Sequence, residues 1–246
     1  YTATELPILT GTRDKWFRPA DVCVAPDGSL IVADWYDPGV GGHRMGDTER
    51  GRLFRVAPPK TAYKTPKHDF ATIEGCIEAL KSPNLATRYL AWTELHKQGQ
   101  KAESALKKMY ETDENPRFRA RALWLLTKSV NGKEFVAAGL KDANPDLRIV
   151  ALRAARELKL DVPAAVSALI DQKQPPEVLR ECAIALRHVK SPEMPTLWAR
   201  LAAQHDGKDR WYLEALGIAA DKRWDAYLDA NLKSAGENAL KSAAGR

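Results

Sequence analysis

An arginine returns at nearly constant spacing through most of this chain, and that regularity limits the fold more than any other feature. Arg88-Tyr-Leu-Ala91, Arg119-Ala-Arg-Ala122, Arg148-Ile-Val-Ala151 and Arg180-Glu-Cys-Ala183 share an Arg-x-x-Ala pattern. Arg210-Trp-Tyr-Leu213 continues it with Leu in place of Ala, and the successive spacings are 31, 29, 32 and 30 residues. A period of this length means stacked supersecondary units, each burying its apolar face only against its neighbours. From about Ala71 onward the apolar residues recur with a helical period of 3.6. Ser82-Pro83-Asn84, Asn115-Pro116, Asn144-Pro145 and Pro175-Pro176 stand before the arginine-bearing segments. Asn accepts from an orphan N–H at a helix start, and Pro in the first turn has no N–H to leave unpaired. A second helix follows in each unit, for example Lys133–Lys141 and Pro163–Asp171. The expectation is five or six helix pairs between residues 70 and 234.

The preceding residues follow a different rule. Between Phe17 and Ala57 the period is two, as in a strand with alternating faces. Val22 and Val24 open a first strand, and Pro26-Asp27-Gly28-Ser29 is a strong turn signal. Leu30-Ile31-Val32-Ala33 makes a second strand, and Gly51 to Val56 a third, ended by Pro58-Pro59. A loop rich in Gly and Asp runs from about Asp34 to Arg50 between the last two. Three short antiparallel strands at residues 1–60 read as one blade of a β-propeller, and a blade cannot cover both of its own faces. The fold class is therefore mostly α: a HEAT-like α-solenoid over residues 61–246, preceded by one incomplete antiparallel propeller blade. The remaining blades are expected in cis or in trans, so the sequence reads as part of a larger protein.

The segments FRPADV, APDGSLIVADWYDP, GGH and RGRLFRV carry a resemblance. They look like the last propeller blade of the planctomycete-type membrane-bound dehydrogenases, whose propellers resemble soluble quinoprotein sugar dehydrogenases. Helical HEAT repeats and then a c-type cytochrome domain commonly follow in that family. The resemblance implies a parent that oxidises a sugar or alcohol and passes electrons to haem c. It also implies an extracytoplasmic, periplasmic setting and makes PQQ with Ca²⁺ conceivable cofactors of the parent. No Cys-x-x-Cys-His haem attachment occurs in this sequence, so no cofactor is expected in the chain itself.

Composition sharpens these classes. The formal net charge is +6. Residues 1–60 hold eight Lys or Arg and eight Asp or Glu, so the whole excess sits in the helical part. It is spread over many helices without a dense Lys/Arg tract, unlike the footprint of a dedicated nucleic-acid binder. A HEAT-like nucleic-acid-binding or DNA-repair protein is the second reading, resting on Arg210-Trp211-Tyr212 and Lys222-Arg223-Trp224. No apolar run reaches the ~20 residues of a transmembrane helix. Cys23, Cys76 and Cys182 are odd in number and scattered, and read as small buried hydrophobes. Trp92 and Trp124 read as equivalent core positions, and His68, His96, His188 and His205 as isolated surface residues.

One loop could carry chemistry. Asp34, Asp37, His43, Arg44, Asp47 and Glu49 fall within a short segment, and such loops often line a propeller channel. His43 and Arg44 are the candidates for a cofactor or substrate, since a guanidinium fork suits planar anions. Asp34, Asp37 and Asp47 form an oxygen-rich set suited to Ca²⁺. The competing reading has Asp34 and Asp37 bonding loop backbone. Asp113, Asp142 and Asp171 each precede the next arginine-bearing helix, so an Asp–Arg ladder between repeats explains the recurring arginine without a basic binding stripe. The function expected for the visible chain is a non-catalytic scaffold that binds a protein partner.

Overall fold

The computed structural model describes residues 4–37 and 49–236. The chain is mostly helical, with one small sheet, and it divides into two compact units, Tyr1–Lys97 and Gln98–Arg246.

The first unit contains the sheet. Strands β1 (Pro19–Val24), β2 (Leu30–Asp34) and β3 (Arg52–Val56) are antiparallel and adjacent in chain order. The turn predicted at Pro26–Ser29 forms: the Ala25 N–H donates to the Ser29 carbonyl at 2.8 Å, and Gly28 takes φ 85°. Asp27 fixes that turn by accepting from the Ser29 N–H and hydroxyl, while Arg55 of β3 pairs with its other oxygen at 2.8 Å. The register places Val22, Val32 and Phe54 side by side on one face and Cys23, Ile31 and Arg55 on the other. Phe17 meets the Phe54 ring edge-on, covering part of the first face. The sheet is otherwise thinly covered. All six residues of β1 are exposed, Val22 at 58 %, and Leu53 of β3 is 75 % exposed. Cys23 shares that exposure, so it is not the buried hydrophobe its sequence context suggests; an edge strand has no second layer to bury it.

Helices α1 (Ile73–Leu80) and α2 (Leu85–Gln98) follow. Thr72 caps α1 by accepting from the Gly75 N–H, and Gly75 is obligatory because a Cβ there would stand 2.0 Å from the Asp69 carbonyl oxygen. The first unit extends past the change of periodicity because the turn before α2 packs on the sheet. A Cβ on Gly28 would meet Pro83 at 3.1 Å, and the Asn84 side-chain amide donates to the Val24 carbonyl at 2.6 Å.

The second unit holds α3 (Gln100–Thr112), α4 (Pro116–Leu126), α5 (Gly132–Gly139), α6 (Pro145–Glu157), α7 (Val162–Ile170), α8 (Pro176–Leu186), α9 (Met194–Ala202), α10 (Arg210–Ala220) and α11 (Trp224–Ala235). Asn115 and Asn144 cap α4 and α6, each followed by Pro at the first helical position, as their sequence predicts. Asp161 and Asp209 cap α7 and α10 through their carboxylates. Two rows result: α4, α6, α8 and α10 pack in succession, and α7, α9 and α11 pack in succession beside them. The core lies between the rows, where Leu152, Val166, Leu186 and Leu201 are wholly buried. Polar groups inside it are satisfied: the Trp198 indole donates to the Leu216 carbonyl at 2.9 Å, and the Tyr212 hydroxyl to the Leu201 carbonyl at 2.8 Å. Gly139 sets the approach of α5 to its neighbours, because a Cβ would lie 2.8 Å from Ala151 and 2.9 Å from Leu123.

The recurring arginine forms part of the expected ladder. Arg119 donates to the Asp142 carboxylate at 2.6 Å and to the Tyr110 carbonyl at 2.7 Å, and the Tyr110 hydroxyl shares Asp142 at 2.9 Å. Arg180 pairs with Asp209 at 2.8 Å. Two rungs differ. Asp171 takes Arg200 of α9 instead, and Arg148 turns back to the carbonyls of Asp142 and Ala143. The register also slips at the last repeat. Arg119 and Arg148 lie four residues beyond their caps, whereas Arg210 lies directly after Asp209. Leu213, not Arg210, occupies the ladder position of α10. The Asp209 carboxylate caps the helix there and overrides the sequence pattern.

Candidate functional site

The aspartate-rich loop begins at a built site. Asp34 ends β2 and is buried, with four donors on its two oxygens. The Arg18 and Tyr36 amides reach one oxygen at 2.7 and 3.0 Å, and the Arg52 guanidinium reaches the other at 2.7 and 2.5 Å. Arg52 comes from β3 and also pairs with Asp14 at 2.8 Å. Its plane lies 4.0 Å from the centre of the Tyr36 ring and 5.1 Å from that of Phe54. Burial pushes the Asp34 carboxyl up, but the three sets of hydrogen bonds and the Arg52 charge together hold it below the ordinary carboxylate value. A carboxylate with both oxygens occupied this way fastens the two strands and the loop entry. It has no lone pair directed at open space for a cation.

The other members of the expected set are distributed as follows. The Asp37 amide donates to the Trp16 carbonyl at 3.1 Å, which continues the fastening of the loop entry. His43, Arg44 and Asp47 lie outside the described residues. Glu49 is exposed at the loop exit. No group of three or more His, Cys, Asp or Glu among the described residues could hold a metal ion. No described helix is long and apolar enough to cross a membrane.

The tryptophans and histidines are placed less simply than their sequence suggests. Trp92 and Trp124 are half-buried rather than core residues: Trp92 stacks on His96 at 5.0 Å, and Lys128 lies 4.6 Å from the Trp124 ring centre. His205 is buried, its ring bonded to the Asp209 carbonyl at 2.9 Å and accepting from the Gly207 amide at 3.2 Å. It shapes the turn into α10. Burial drives the Cys182 thiol up to about 12, which makes it inert.

A cleft of about 810 Å³ opens where α9 and α11 begin. Met194 and Tyr227 form its buried floor, Pro192, Pro195 and Trp224 its walls, and Lys190 and Lys222 its rim. Arg223 beneath it donates to the Val189 and Arg187 carbonyls, locking the α8–α9 loop to the start of α11. Sequence reasoning marked Lys222-Arg223-Trp224 as a cluster but could not see that Ser191-Pro192 would face it. The cleft offers cations and an aromatic wall, with no nucleophile–base pair and no convergent carboxylates. No protein-family model matches this chain, and no curated protein matches it significantly.

Proposed function

We propose that the chain is a non-catalytic interaction module, a HEAT-like solenoid carried behind the last blade of a β-propeller. By its sequence resemblance the parent is a quinoprotein-like dehydrogenase of a sugar or alcohol that delivers electrons to a c-type haem, in an extracytoplasmic setting. The reading rests chiefly on the sheet. Three antiparallel strands with both Val22 and Leu53 exposed are unfinished as a free-standing layer, and β-propellers close by setting such sheets against one another. The two helix rows, joined by arginine rungs at the repeat period, support the solenoid half of the reading. The Asp34–Arg52 clamp belongs to the framework of the blade, so the reacting groups of the parent would come from its other blades. Dye reduction by the isolated chain, with added quinone, Ca²⁺ and a panel of sugars and alcohols, should stay at background. Robust turnover would overturn the reading. The nucleic-acid alternative predicts salt-sensitive DNA binding; none at low salt removes it.

A further inference from the structure

The last first-row helix differs from its predecessors at its surface. Counting from the cap, the second residue is Arg117 in α4 and Asp146 in α6, both exposed and charged; in α10 it is Trp211. The fourth residue is Arg119 and Arg148 in α4 and α6; in α10 it is Leu213, 56 % exposed. Arg119 uses that position to reach Asp142, at the entry to the next helix of its row. Leu213 offers no such rung, so α10 is not prepared for another repeat of the same kind. Nor is it finished as an end, because terminal repeats are normally polar on their outer face. Leu213, Gly217, Trp224 and Leu228 instead make one apolar strip. Gly217 lies one turn after Leu213, the Trp224 ring comes within 3.9 Å of where a Gly217 Cβ would stand, and Leu228 lies one turn after Trp224. Trp224 and Leu228 are 54 % and 49 % exposed.

We propose that this end face is a self-association surface. A second copy packs its Leu213, Trp224 and Leu228 against the same strip across a twofold axis, extending the two rows end to end. Three observations select a second copy over other occupants. The strip continues the packing that joins α8 to α10 and α9 to α11, so its shape suits helices. The missing arginine argues against a further repeat. Lys222 and Asp225 flank Trp224 without an ion pair in the described residues, giving the face both signs, as an isologous contact requires. The proposal is independent of the propeller reading.

Sedimentation velocity and light scattering on the full chain decide it. The wild type should be a dimer, and Leu213→Glu and Leu228→Glu should each weaken it by about tenfold or more, as burial of a charge at the centre of a contact does. Circular dichroism should show unchanged helix content in both variants, and Val130→Glu, at an exposed apolar residue elsewhere in the unit, should leave the dimer intact. A wild-type chain that stays monomeric at the highest attainable concentration would overturn the proposal. So would a dimer that survives both glutamates, or one that is lost only when residues 1–60 are removed.

Discussion

Ser29 gives the Asp27 carboxylate two donors from one residue, and Arg55 adds a third. The Ser29 hydroxyl is the main cause that draws the Asp27 pKa down to about 2, against the opposing effect of burial. Because the folded value lies below the unfolded one, the stability this group contributes is present above the usual carboxylate range near ~3.9 and is lost as pH falls toward 2. Ser29→Ala should raise the Asp27 pKa toward its ordinary 3.8, measured by NMR titration of the carboxyl carbon. The same sheet supplies a second test. Cys23 is exposed while Cys76 and Cys182 are buried, so iodoacetamide should label one thiol in the native protein and three after unfolding. The turn at Asp27 was legible from Pro-Asp-Gly-Ser alone because each residue acts locally. The exposure of Cys23 was not, since alternation tells which face a residue takes but not whether anything covers that face.

At the scale of elements, helix starts were the most legible feature. Asn115-Pro116 and Asn144-Pro145 form the caps their chemistry prescribes. The pairing of arginines was less legible. The Asp171 partner came from α9 rather than α6, because which helix flank faces which turn depends on packing angles that spacing does not encode. Of the candidate site, Asp34 was recognisable as a loop anchor, but its partner Arg52 lies eighteen residues away on another strand and gave no local signal. Gly139 was equally silent in the sequence. Its substitution by Ala should cost about 1–3 kcal/mol, since the new methyl group would collide with Ala151 and Leu123, neither of which has room to retreat. Thermal or urea unfolding should show the loss with the helical signal of the native state preserved.

For the whole molecule, the two compact units make separate demands. The cores of the second unit draw only on residues beyond Gln98, from Val136 to Tyr227. A fragment of residues 98–246 should therefore fold by itself, with a cooperative melt and slowly exchanging amides in α6 and α8. A fragment that melts without cooperativity would show that the first unit is needed. The isolated first unit should fare worse, because a three-stranded sheet with β1 wholly exposed has little core to sustain it. Within that unit, one side chain works in two directions. The Asn84 carbonyl oxygen accepts from the Thr87 amide at the start of α2, while its amide nitrogen grips the carbonyl of Val24 at the end of β1. Strand end and helix start therefore share a single coupling, and Asn84→Asp cuts it cleanly. The carboxylate keeps the helix cap but cannot donate to the strand, and it sets two acceptors against each other. In the variant, fraying of β1 should no longer be felt at the first turn of α2, and the two amide-exchange rates, correlated in the wild type, should become independent.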